Sequence, residues 1–170
     1  MKQLSMFPTD ADHHQEKKKI NHWKVYIDGA SRGNPGAAGA GIYILKDNQF
    51  FAQHGFYLGT KTNNQAEYLA LLLAIFELKK DVHADDKVHI ISDSQLMIRQ
   101  MKGEYRVKNE DLKILYTIGK RWLAGWHITL SHVLRAENVE ADEMANVGVD
   151  KKIKPPHAFI ENLKRENHSI

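Results

Sequence analysis

Residues 65–80 read QAEYLALLLAIFELKK, a run of helix formers with apolar side chains on nearly every side. A helix of this kind has to be covered on more than one flank, because no single polar face is left for solvent. It calls for a layered fold, with material on both sides of it. Thr62-Asn63-Asn64, just ahead, offers helix N-cap chemistry. Before that come three β-prone stretches at 23–28, 40–45 and 50–58, the last two joined by Lys46-Asp47-Asn48. Short links between strands imply an antiparallel meander.

Downstream, residues 87–92 (KVHIIS) read as a fourth strand that stops at Asp93. The apolar helix can supply the crossover that a parallel strand needs. A short helix at 94–101 and a basic, irregular link at 102–109 follow. Residues 110–123 form an amphipathic helix with Leu112, Leu115, Ile118, Gly119 and Trp122 on one face. A strand at 126–133, a loop at Leu134-Arg135-Ala136 and a helix at 137–149 complete the domain; 158–167 reads as a short helix or a mobile segment. The order β-β-β-α-β-α-α-β-α is that of an α/β fold, a mixed sheet flanked by helices.

The 170 residues suit one domain with a real core. The chain has no cysteine, which removes disulfides, thiolate metal sites and cysteine nucleophiles and fits a cytoplasmic protein. No apolar run approaches the roughly 20 residues of a membrane span. Net charge is only +3, but residues 99–125 hold seven Lys/Arg against three Asp/Glu, which permits a polyanionic partner. Residues 1–22 lack periodicity and read as a flexible tail; residues 151–170 read as a C-terminal extension.

Four acids occupy unusual places. Asp28 closes the first strand within VYIDGASRGNPG (25–36), and Asp93 closes the fourth. Glu67 lies near the start of the apolar helix, and Asp142 lies on the last helix. Each has a plain alternative. Asp28-Gly29 suits a hairpin turn. Glu67 suits a capping box with Asn64. Asp93 suits the N-cap of the helix at Ser94, and Asp142 suits a solvated helix face. Those alternatives leave one thing unexplained, since the topology can bring all four acids together at the carboxyl ends of strands. Desolvated carboxylates repel at a cost of several kcal/mol each, and a divalent cation removes that cost. An all-oxygen cluster favours Mg²⁺ or Mn²⁺ over Zn²⁺.

Four segments in this order, YIDGASRGNPG, TNNQAEYLAL, ISDSQL and RAENVEADEMAN, resemble the type 1 ribonuclease H family across residues 23–149. The resemblance implies a five-stranded mixed sheet in the order 3-2-1-4-5 with helices on both faces. It implies endonucleolytic hydrolysis of the RNA strand of an RNA/DNA hybrid, leaving 3′-hydroxyl and 5′-phosphate ends. It also makes Asp28, Glu67, Asp93 and Asp142 the catalytic quartet holding two Mg²⁺ (Mn²⁺ being the other candidate), with Asp28 bridging the ions. Ribose recognition falls to the backbone around Ser31 and Gly33 and to the side chains of Asn34, Asn63, Asn64 and Gln95. Thr62 and Asn64 match a pocket for a phosphate of the DNA strand.

Two departures mark a short-loop subgroup without the basic protrusion. The link at 133–137 is VLRAE, with no Gly-His pair, so Arg135 is expected to contact the scissile phosphate or to ease product release; His132 reads as a strand residue. Residues 101–109 are too few for an extra basic helix, although Lys102, Arg106 and Lys108 could still touch DNA. Near the N-terminus, Gln3-Leu4-Ser5-Met6-Phe7 resembles the peptide with which bacterial replication proteins bind the sliding clamp, Met6 replacing the usual Leu. This implies a DNA sliding clamp as partner through Gln3, Leu4 and Phe7; the alternative is a tail folded back on the domain. A monomer is expected, and the tail ahead of the domain favours a stand-alone enzyme over a piece of a reverse transcriptase. Competing functions are another nuclease of the superfamily, which would lack the Asn-rich ribose reader, and a non-catalytic nucleic-acid binding module, which would lack a carboxylate.

Overall fold

The computed structural model describes residues 19–167. The clamp-like peptide with Gln3, Leu4 and Phe7 lies outside that range. The elements are β1 (His22–Gly33), β2 (Gly36–Lys46), β3 (Gln49–Lys61), α1 (Asn63–Leu78), β4 (Lys87–Ser92), α2 (Gln95–Met101), α3 (Glu110–Trp122), β5 (His127–His132), a 3-10 turn (Arg135–Glu137), α4 (Val139–Lys151) and α5 (His157–Asn167). The sheet order is β3-β2-β1-β4-β5. β1 pairs antiparallel with β2 and parallel with β4, and β4 pairs parallel with β5.

Alternation along the strands sets the two faces. Val25, Ile27, Ile42 and Ile44 are at most 1% exposed and meet α1. α3 packs on the far side of α1, so α1 is enclosed between sheet and helix. That placement accounts for its apolar character all round. α4 lies on the opposite face over glycines: a Cβ at Gly41 would come 1.8 Å from the Ala141 carbonyl oxygen. The β2–β3 turn holds Asp47 and Asn48 at φ 50° and 62°, the left-handed conformation these two residue types tolerate.

Both ends of the domain reach further than the sequence pattern suggests. β1 starts at His22, inside the segment expected to be tail, and Asn21 is held by Asp86 through backbone and side-chain hydrogen bonds of 3.0 Å each. Asp86 also accepts from the Trp23 indole at 3.0 Å, fastening β1 to the start of β4. In the C-terminal extension, α5 inserts Phe159, 1% exposed, between Phe76 and Trp122. Trp122 donates to Glu166 at 3.1 Å, and Arg121 pairs with the same carboxylate. Residues 158–167 are therefore a docked helix rather than a mobile segment.

Candidate active site

The site begins with the register of two parallel strands. Ile27 of β1 is paired with Ser92 of β4, so the next residues, Asp28 and Asp93, emerge side by side. Glu67 joins them from α1. It sits beyond the first turn, and the helix is capped instead by Thr62 and Gln65: the Gln65 amide donates to Thr62 Oγ1 at 3.2 Å, and the Thr62 amide donates to Gln65 Oε1 at 2.9 Å. Glu67 is thus not half of a capping box with Asn64. Its Oε2 accepts from the Gly29 amide at 3.1 Å. Gly29 permits this approach, since a Cβ there would lie 2.2 Å from the backbone of Ala66 and Glu67.

Carboxylate oxygens of Asp28, Glu67 and Asp93 all lie within 4.8 Å of one another. Burial, followed by repulsion from Asp93 and Asp142, pushes the Asp28 carboxyl up to about 7. Burial and then the charges of Asp28 and Asp93 push Glu67 well above the usual carboxylate range. Crowding and desolvation of this kind disfavour the charged forms of the carboxylates. With only oxygen donors, the cluster fits a hard divalent ion.

Asp142, expected as the fourth member, stands apart from this trio. Its Oδ1 accepts from Arg135 Nη2 at 2.9 Å, and Asn146 donates to its backbone oxygen at 3.0 Å. Arg135 sits in a 3-10 turn rather than an open loop. Asp93 does not cap α2; Ser94 does, accepting from the Met97 amide at 3.4 Å. His132 ends β5 and is exposed, as expected of a strand terminus.

All the expected substrate contacts but Gly33 line one of three depressions. Ser31, Asn63, Asn64 and Arg135 line a cleft of about 260 Å³ with the three clustered acids. Asn34, Thr62 and Asn64 line a second hollow of about 220 Å³, so Asn64 borders both. Gln95 lies in a third, beside Arg99 and Lys102. Ser31 donates to the Lys61 carbonyl at 2.8 Å, and the Asn63 amide donates to Asn34 Oδ1 at 3.1 Å. These bonds fasten the end of β1 and the β1–β2 turn, where Gly33 has φ 123°, to the end of β3 and the start of α1. A larger, mainly apolar cavity of about 560 Å³, lined by Tyr57, Leu69, Ile114 and Phe159, shares Gln65 and Asp111 with the second hollow.

Asn138 escapes the sequence reading. It is fully buried, and its amide nitrogen donates to the Ile27 carbonyl at 2.9 Å and to Asp93 Oδ1 at 3.2 Å. The only signal in the chain is an Asn one helical turn ahead of Asp142, which looks like an ordinary N-cap.

Residues 20–150 match the RNase H family profile. The chain is 38% identical over 147 residues to ribonuclease HI of Halobacterium salinarum, covering 84% of this chain and 72% of that one. It is 35% identical over 154 residues to ribonuclease H of Coxiella burnetii, covering 81% and 96%. The solved structure of LC11-RNase H1 in complex with an RNA/DNA hybrid superposes with a TM-score of 0.72 at 35% identity, over 76% of this chain and 97% of that one. This protein belongs to the ribonuclease H family.

Proposed function

We propose that the protein cleaves the RNA strand of RNA/DNA hybrids at the Asp28–Glu67–Asp93 cluster. The observation that carries this reading is the convergence of three half-buried or buried carboxylates on one point, with oxygens within 4.8 Å. Asp28, Glu67 and Asp93 would hold two divalent cations, Mg²⁺ or Mn²⁺, with Asp142 completing the set once released by Arg135. When bound, such ions lower the pKa of a water and stabilise the leaving oxygen in phosphoryl transfer. No side-chain nucleophile is needed, and the products are 3′-hydroxyl and 5′-phosphate ends.

The chain's own groups supply position and selectivity. Ser31, Gly33, Asn34, Asn63, Asn64 and Gln95 form the surface that the RNA strand meets. Amide side chains there offer both donor and acceptor to a 2′-hydroxyl, the group that tells RNA from DNA. Thr62 and Asn64 border the hollow assigned to a phosphate of the DNA strand, although the Thr62 hydroxyl is already engaged by the helix cap. Arg135 places its charge at the cleft to meet a phosphate. The hybrid bound in the related LC11 structure supports this choice of substrate.

A DNA sliding clamp is proposed as a second partner, through Gln3, Leu4 and Phe7. A Leu4/Phe7 double alanine variant should lose clamp binding and keep cleavage. The central reading is tested by cutting a labelled hybrid beside matched all-DNA and all-RNA duplexes, with Mg²⁺ or with EDTA.

A further inference from the structure

Asn138 stands at the N-cap of α4, a position where an Asn side chain normally accepts from the first free amides of the helix. Here it makes no cap bond. Its amide nitrogen is directed to Asp93 Oδ1 and to the Ile27 carbonyl, while its own Oδ1 is buried with no hydrogen-bond partner among the described residues. A rotated amide would not cure this, since it would aim oxygen at two acceptors. The orientation is therefore fixed, and the fold keeps both an unused cap and an unpaired buried acceptor to maintain it. Either one alone costs stability.

What the residue connects explains why the cost is borne. Its side chain reaches Asp93 at the end of β4 and the carbonyl immediately before Asp28 in β1. Its backbone oxygen accepts from the Asp142 amide at 3.1 Å. One residue thus ties together three elements that carry three of the four acids. We propose that Asn138 is a positioning residue, which orients Asp93 and sets its distance from Asp28 so that the cluster is shaped for a divalent cation. This rests on the reading of that cluster given above. Hydrogen bonds to a ligating carboxylate of this sort are worth about 10–100-fold in metal affinity or activity.

The test uses Asn138→Ser, which can still cap α4 but is too short to reach Asp93, and Asn138→Ala, which can do neither. Mn²⁺ affinity is measured by titration calorimetry, hybrid cleavage by steady-state kinetics, and folding by thermal melts in EDTA. Both variants are expected to fold, to bind Mn²⁺ about tenfold more weakly or worse, and to lose kcat with KM for the hybrid within about twofold. Asn138→Ser should match or exceed Asn138→Ala in melting temperature yet share its loss of cation affinity. Wild-type affinity and kcat in Asn138→Ser would overturn the proposal. So would unfolded variants, or a loss that follows melting temperature with unchanged Mn²⁺ affinity, since either gives the amide a purely structural role. If the wild type neither binds Mn²⁺ nor cuts the hybrid, the underlying function has failed instead.

Discussion

Arg135 and Asp142 form an ion pair, Nη2 to Oδ1 at 2.9 Å, seven residues apart across the turn that leads into α4. The arginine side chain is 78% exposed and the aspartate 28%. An exposed pair contributes under about 1 kcal/mol to stability. Arg135→Ala should therefore melt close to wild type while losing on the order of tenfold in turnover on hybrids, the scale of one lost charge contact to a phosphate. Unchanged steady-state turnover would remove Arg135 from the site.

Gly29 lies where β1 meets α1 most closely. A methyl group there must displace helix backbone from 2.2 Å. Gly29→Ala is expected to cost about 3 kcal/mol in urea unfolding and to abolish stabilisation by Mg²⁺, because Glu67 moves with the helix. A variant within about 1 kcal/mol of wild type would contradict the close packing.

Asp86 ties β1 to β4 from inside the protein, at 2% exposure. Burial raises its pKa, but hydrogen bonds from Trp23, His83 and Asn21 outweigh burial and hold the carboxyl well below its usual range. A depressed folded pKa adds stability that is complete above the unfolded value of about 4 and is lost as pH falls through the folded value. Asp86→Asn should cost about 2–4 kcal/mol at pH 6, and the gap to wild type should narrow below pH 4. A gap that stays constant with pH would contradict this role.

Asp28 and Glu67 work in the opposite sense. Their folded pKa values are raised, Asp28 to about 7, so their ionisation weakens the cation-free fold as pH rises from about 4 toward 7. In EDTA, melting temperature should carry that decline. Mg²⁺ at a hundred times its dissociation constant should restore about 2.7 kcal/mol at pH 7.5 and less at pH 5, where it must displace protons. Equal stabilisation at both values, or none at pH 7.5, would argue against a cation at these acids.

The strands and the carboxylates of β1 and β4 were legible because apolar runs and motifs mark them, and the sheet order followed from the family resemblance those motifs carry. The far half of β1 was not. Ala30-Ser31-Arg32-Gly33 looks like loop, yet Ser31 pairs with Ala38 and Gly33 with Gly36. Pairing with a neighbouring strand outweighs weak local preference. The cap of α1 was placed in the right triplet, but its partner is Gln65, which frees Glu67 for Gly29. Asn138 was hidden because its residue type and position suit an N-cap, and only the fold shows its amide turned toward Asp93. Asp86 was hidden likewise, since two of its partners, Trp23 and Asn21, lie 63 and 65 residues away.

The central claim is hybrid cleavage by a cation-loaded carboxylate cluster. Its most direct measurement is cleavage of a strand-labelled RNA/DNA hybrid by wild type and Asp28→Asn, beside the all-DNA and all-RNA duplexes of the same sequence, in Mg²⁺ and in EDTA. Wild type should cut the RNA strand of the hybrid in Mg²⁺ alone, and Asp28→Asn should be slower by on the order of a thousandfold. Cleavage that persists in EDTA, or equal cutting of the all-DNA duplex, would contradict the account.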